Sequence, residues 1–135
     1  MGAFENDTAA DWSWEFESAD LAAGLQLITG ALTLAARADG ASSYLDGDDG
    51  SRAIAAAAMV AAINGHPIDE SAFGEDARQW ITRVHPSSDP SLTSLARQAV
   101  SRVTGPTSEL SELWFPEHLP SWQSAMAELL GKLHA

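Results

Sequence analysis

Residues 52–65 read RAIAAAAMVAAING, with alanine at seven of these positions. Alanine has the highest intrinsic helix propensity, and the Asn64-Gly65 pair is a frequent helix stop. These residues therefore predict a helix from about Arg52 to Asn64. Because small side chains let neighbouring helices approach closely, we expect this helix at the centre of the fold.

The same helical periodicity continues on both sides of this segment, interrupted by capping residues, glycines and prolines. No convincing alternating strand is present. The predicted helices run from about Asn6 to Glu17, Asp20 to Ala38, Arg52 to Asn64, Ala72 to Val84, Pro90 to Thr104, Ser108 to Leu113 or Trp114 and from Pro120 onward. Asp20 and Asp89 are predicted to cap the second and fifth helices. The pattern predicts a single all-α domain over residues 1–135, built as an irregular bundle of six or seven helices.

The second of these helices is the most uniformly apolar. One stripe of side chains is widened on its flank by Leu27, Ala31 and Leu34, so we expect the helix to be buried on most sides. The stripe consists of Leu21, Leu25, Ile28, Leu32 and Ala35. Gly24 and Gly30 each weaken the helix by about 1 kcal/mol unless another group packs closely against them.

Composition excludes several classes of protein. The chain has 135 residues, 19 acidic against 7 basic side chains, a formal net charge of -12 and no cysteine. Without cysteine there is no disulfide framework, thiolate zinc site or cysteine nucleophile. The charge argues against direct binding to nucleic acid or to an anionic membrane surface, because both need clustered Lys and Arg.

The sequence also bears on where the protein is found. Residues 1–12, MGAFENDTAADW, carry acids where a secretory signal has Lys or Arg followed by an apolar stretch. The longest apolar run, Ala53 to Ile63, is too short to span a bilayer. We therefore expect a cytoplasmic protein.

The opening of the chain carries the most specific pattern. Residues 4–12, FENDTAADW, follow Gly2-Ala3 directly and resemble the start of the uncharacterised bacterial domain-of-unknown-function family 4259. Members typically open with Gly-Ala-Trp-Gly, whose Trp-Gly spacer is missing here. The alanine-rich segment and, more weakly, Glu112-Leu113-Trp114 also match. The resemblance implies an all-helical bacterial domain and brings no known catalytic residues.

Two groups of residues are candidate binding surfaces. Near the N-terminus, Asp7 and Asp11 accompany Trp14, which lies roughly 200° around the helix from Trp12 and so faces away from the apolar stripe. An exposed tryptophan is a good interface anchor. Near the C-terminus, Trp114 is accompanied by Glu112 and Glu117, which could rim an aromatic patch. The alternative for Trp114 is a place in the core.

Signals for catalysis or metal binding are weak. Asp46, Asp48 and Asp49 resemble half of a calcium loop, but position 12 of that loop is Ala57 where an EF-hand has glutamate. The alternative is a solvated turn and helix cap. The four histidines are His66, His85, His118 and His134, and they show no helical metal-ligand spacing. We predict no cofactor, no metal and no catalytic residue.

The sequence favours a small acidic protein that acts by binding a basic protein partner, of which an inhibitor or immunity protein is one form. Two alternatives stay open. One is a hydrolase that uses carboxylate and histidine side chains, so enzymatic activity is uncertain and less expected. The other is a self-associating structural protein, with the alanine-rich helix and Trp14 as contacts.

Overall fold

In a computed structural model, the part of the chain that the structure describes comprises residues 12, 14–36, 47–66, 75–87, 89–103 and 119–134. These ranges contain five helices and no strand, which confirms the all-α class. The helices are α1 (Leu21–Ala36), α2 (Gly47–Ile63), α3 (Glu75–Val84), α4 (Pro90–Val103) and α5 (Leu119–His134). None of these helices combines the length and the apolar character needed to cross a membrane.

The prediction of six or seven helices is wrong for these ranges, which contain five. The predicted helix from Asn6 to Glu17 lies mostly outside the described residues. Trp12 and Trp14 are helical, as predicted, and residues 15–18 form a turn. In this segment the amides of Glu15, Glu17 and Ala19 each donate to the carbonyl three residues earlier. The predicted helix from Ser108 to Trp114 lies wholly outside the described residues. That one domain spans residues 1–135 stays a prediction.

Helix α2 lies at the centre of the fold, as its alanine content predicts. Every side chain from Ala53 to Ala61 is buried, on all sides of the helix. The most extensive helix packing is among α1, α2 and α4, with α3 and α5 added at the periphery. Helix α2 begins at Gly47, earlier than the predicted Arg52. Asp48 and Asp49 thus fall in its first turn.

Local capping signals mark the end of α2 and the start of α4. Gly65 has a φ of 96°, its amide bonds to Ala62 O, and the amide of His66 bonds to Ala61 O at 3.1 Å. This is a Schellman ending. At the start of α4, Asp89 Oδ1 accepts a hydrogen bond from the amide of Ser91 at 2.9 Å. The end of α2 and the first turn of α4 are joined by Asn64 Nδ2, which donates to Thr93 Oγ1 at 3.0 Å.

Helix α1 is buried along one stripe only. Its buried residues are Gly24, Ile28, Leu32 and Ala35. Leu34 is 54% exposed and Leu21 is 44% exposed. The expectation that this helix is buried on most sides is therefore wrong. Only one side of α1 is fully buried. Of the two leucines that widen the apolar stripe, Leu27 packs in part against the core and Leu34 is largely exposed.

Gly24 is the closest point of approach between α1 and α3. The Trp80 side chain of α3 is fully buried, and its indole occupies the space where a Cβ on residue 24 would lie. The indole Nε1 donates to the Asp20 carbonyl oxygen at 3.1 Å. For Gly30, none of the described residues outside α1 lies within 4 Å of the corresponding Cβ position. Of the two glycines of α1, therefore, only Gly24 must lack a side chain for Trp80 to pack against the helix.

The substitutions Gly24→Ala and Gly30→Ala form a matched pair. We expect Gly24→Ala to lower the free energy of unfolding by about 2 kcal/mol, because the new methyl group overlaps the Trp80 indole. Gly30→Ala should raise it by about 0.5 to 1 kcal/mol through helix propensity alone. Urea denaturation followed by circular dichroism at low micromolar concentration measures both. Equal effects of the two changes would contradict this account of Gly24.

Candidate functional site

The segment that leads into α1 exposes an aromatic side chain among carboxylates. We call residues 14–20 the acidic turn. Trp14 is 66% exposed, and Glu15, Glu17 and Asp20 are all exposed as well. Phe16 and Ala19, between them, are buried. The turn therefore directs its charged and aromatic groups outward while its apolar residues hold it to the protein.

An aromatic cluster anchors the acidic turn to the core. The Phe16 ring is fully buried and lies edge-on to Trp12, with ring centroids 4.9 Å apart and an interplanar angle of 77°. It makes a second edge contact with Trp80, with centroids 5.2 Å apart. Such pairs stabilise by about 0.5 to 1.5 kcal/mol each beyond the area that they bury. The backbone of the turn is thus fixed beneath its exposed side chains.

Arg83, in the last turn of α3, binds the backbone of the acidic turn from the side. Its Nη1 donates to Glu17 O at 3.1 Å. Its Nη2 donates to Ala19 O at 2.6 Å and to Phe16 O at 3.4 Å. A guanidinium group suits this task because its donors form a rigid planar fork. Charge-assisted bonds of this kind are stronger than bonds between neutral groups, so Arg83 fixes the carbonyls of the turn.

Asp20 ends the acidic turn and starts α1. Its Oδ1 accepts a hydrogen bond from the amide of Ala23 at 2.8 Å, which makes it the N-cap residue. Its carbonyl oxygen accepts both the Gly24 amide and the Trp80 indole N–H. The predicted cap at Asp20 is therefore confirmed. The carboxylate is favoured there by the positive end of the helix dipole.

Two shallow depressions flank the Ser18–Ala19 pair. One has a volume of about 430 Å³ and is lined by Glu15, Ser18, Ala19, Ala23, Gln26 and Leu27. The other has a volume of about 470 Å³ and is lined by Glu17, Ser18, Ala19, Asp20, Leu21, Arg83 and Val84. Both are open to solvent. Small-molecule sites generally enclose most of their ligand, so these depressions suit side chains of a docked protein better.

The structure places one of the six predicted binding residues. Trp14 lies on the surface, as its angle from Trp12 predicts. Its role in binding stays a prediction. The other five, Asp7, Asp11, Glu112, Trp114 and Glu117, lie outside the described residues. The sequence analysis missed Arg83, whose only sequence signal is a basic residue in the last turn of a helix.

The described residues give no centre for metal chemistry. Among them, no group of three or more histidine and carboxylate side chains is placed to hold a metal ion. Asp48 and Asp49 belong to the start of α2, so they are not part of a polar loop as predicted, whereas Asp46 lies outside the described residues. His66 and His85 follow the ends of α2 and α3, and His85 has a φ of 47°.

Comparison with known proteins identifies the family. The sequence profile described as "Domain of unknown function (DUF4259)" matches residues 1–125. The chain belongs to this family. Neither the comparison with curated proteins nor that with solved structures gave a match. The DUF4259 match confirms the resemblance found in the sequence, and it assigns no activity to the acidic turn.

Replacement of Arg83 tests how the acidic turn is held. We expect Arg83→Met to lower the free energy of unfolding by about 1 kcal/mol, since its bonds are partly exposed to solvent. Amide hydrogen exchange in residues 15–20 should speed up as the carbonyls lose their donor. Arg83→Lys should restore only part of the protection, because an ammonium group lacks the planar fork.

The matched control is Arg97→Met, which removes an arginine that donates to a main-chain carbonyl elsewhere, Leu133 O. It should leave exchange in residues 15–20 unchanged. If Arg83→Met and Arg97→Met alter this exchange equally, Arg83 does not position the turn.

Proposed function

We propose that this protein acts by binding a basic protein partner and that the acidic turn is the principal contact. The observation that supports this most directly is an exposed Trp14 beside exposed carboxylates on a backbone that is held in place. Tryptophan is enriched among residues that dominate binding energy. A contact surface that is already ordered loses little conformational entropy on binding.

The distribution of charge favours a basic partner. No Lys or Arg occurs before Arg37, whereas the acids Glu5, Asp7, Asp11, Glu15, Glu17 and Asp20 all precede it. Arg83, which lines one of the depressions, directs its guanidinium to backbone carbonyls. Its donors are therefore engaged by main-chain oxygens and not by the exposed carboxylates. A net charge of -12 would also speed association with a positively charged partner.

The two depressions give this partner places to insert side chains. Arginine or lysine of the partner could lie in either hollow, within reach of Glu15 on one side and Glu17 on the other. The patch predicted around Trp114, with Glu112 and Glu117, and the preceding Asp7 and Asp11 belong to the same proposal as further acidic contacts. An inhibitor or immunity protein acting in the bacterial cytoplasm fits this chemistry.

Quantitative affinity capture from host lysate tests the proposal. The capture is done at low salt and at about 0.5 M salt, because the higher concentration screens charges more than a few Å apart. The expected result is a basic protein retained in stoichiometric amount at low salt. The variant Trp14→Ala should retain at least about tenfold less of this partner. The double variant Glu15→Gln, Glu17→Gln should also retain less, because carboxylate contacts drive the association.

Glu128→Gln is the matched control. Glu128 is an exposed acid on α5 whose carboxylate lies 3.6 Å from Lys132 Nζ, remote in sequence from the acidic turn. It should retain the partner like the unmodified protein. Circular dichroism checks that each variant is folded, and Trp14 is exposed enough that its loss should change stability by less than about 0.5 kcal/mol. Equal retention by Trp14→Ala and Glu128→Gln would refute the proposal.

A further inference from the structure

Helix α1 presents a second surface that is unlike the acidic turn. Its sequence, LAAGLQLITGALTLAA, has no charged residue in 16 positions. One side of the helix packs on the core. The flank of the helix carries Ala23, Leu27, Gly30 and Leu34, whose spacing of four, three and four residues places them in one row. Leu27 also packs in part against the core, whereas the other three are exposed. We call this row the outer face of α1.

The outer face is open to solvent. Leu34 is 54% exposed, Ala23 and Gly30 are exposed, and Leu27 is half-buried. None of the described residues outside α1 itself lies within 4 Å of the Cβ position of Gly30. Single exposed apolar side chains are ordinary. A row at this spacing on a helix without charge, in a protein of net charge -12, is the pattern of an interaction surface.

We propose that the outer face of α1 binds the same face of a second copy of this chain, in antiparallel orientation. Side-chain size makes the row self-complementary. A twofold axis that passes between Ile28 and Thr29 places Leu27 opposite Gly30 of the second copy. The same axis places Leu34 opposite Ala23 of the second copy. Each large side chain then meets a small residue, which is how helix faces interdigitate, and each contact occurs twice, as an isologous dimer requires.

Charge selects a second copy over a basic partner at this face. Only Ala23 and Leu27 border the depression beside Glu15, so a basic protein gains no electrostatic attraction from Gly30 and Leu34. Two copies of a chain with net charge -12 repel wherever their carboxylates meet, so they can approach closely only through uncharged surface. The outer face of α1 supplies that surface.

Burial argues against the contact that the sequence suggested for self-association. The alanine-rich part of α2, from Ala53 to Ala61, is buried inside the fold and cannot contact a second copy. The outer face of α1 takes its place. Helix α1 is about 24 Å long, so one helix pair buries less than a standard stable interface. We therefore expect a weak, concentration-dependent dimer with a Kd of about 10 µM or higher.

Sedimentation velocity of the full chain between about 1 and 300 µM tests this expected range. Dimer should accumulate with concentration and should be stronger at 0.5 M than at 0.05 M salt, because salt screens the repulsion between like-charged copies. Leu34→Glu should weaken self-association about tenfold or more, since the lost leucine contact occurs twice. Leu21→Glu is the matched control: Leu21 is an exposed leucine of the same helix outside the outer face, and its loss should leave the dimer intact.

Disulfide trapping tests the register, since the natural chain has no cysteine. Oxidation of a mixture of Ala23→Cys and Leu34→Cys proteins should give covalent dimer. Either variant alone should give several-fold less, because the proposed axis separates the two copies of residue 23 by about 16 Å along the helix, beyond the reach of a disulfide.

Three outcomes would overturn the proposal: a monomer at every concentration and salt, an unchanged dimer in Leu34→Glu, or trapping that is stronger within one variant than in the mixture. Suppose that the purified chain is monomeric and that Leu34→Glu fails to retain a lysate protein that the unmodified chain retains. The outer face of α1 would then bind a different protein. The two proposals can fail separately, although Ala23 and Leu27 also line the depression beside Glu15. Trp14→Ala should leave the dimer unchanged, and salt should strengthen the dimer while it weakens the partner complex.

Discussion

The contact between the Trp80 indole and the Gly24 backbone is the constraint on which the candidate site depends. With hydrogen as its side chain, Gly24 lets Trp80 lie against α1, and the indole then reaches the Asp20 carbonyl. The same indole makes an edge contact with the Phe16 ring. Arg83 is three residues further along α3 and so projects from the same side of the helix. Helix α3 therefore supplies both side chains that hold the acidic turn, and the outward direction of Trp14 follows from their positions.

The features that the sequence predicts well are those with local causes. Alanine content places α2 at the centre, and Asp20, Asp89 and the Asn64-Gly65 pair mark helix ends through bonds to residues next to them in the chain. Trp14 is predicted to be exposed from its angle relative to Trp12. The orientation of α1 is not predictable in this way, because leucines occur on both the packed and the open side of a helix without charges. The Arg83 contact joins residues more than 60 positions apart, which periodicity does not reveal.

Two arginines bind main-chain carbonyl oxygens. Arg83 donates to three carbonyls of the acidic turn, and Arg97 Nη1 donates to Leu133 O near the end of α5 at 3.0 Å. In both cases a cation meets carbonyls that lack a helical partner, which is favourable at the negative end of a helix or turn. Those donors are then engaged by main-chain oxygens while acids outnumber bases 19 to 7. The strong negative field outside the protein follows from composition, because each arginine keeps its positive charge whichever oxygen it binds.

That field acts in opposite directions on the two proposed surfaces, and the surfaces touch. Ala23 and Leu27 belong to the outer face of α1, and both also line the depression beside Glu15 and Ser18. A basic partner that fills this depression covers part of the row that a second copy needs, so the two associations exclude each other sterically. Low salt strengthens attraction to the partner and repulsion between copies, whereas high salt weakens both interactions. Linkage then requires that a partner which binds only the monomer shifts the dimer equilibrium toward monomer, so ionic strength and partner concentration act on the same equilibrium.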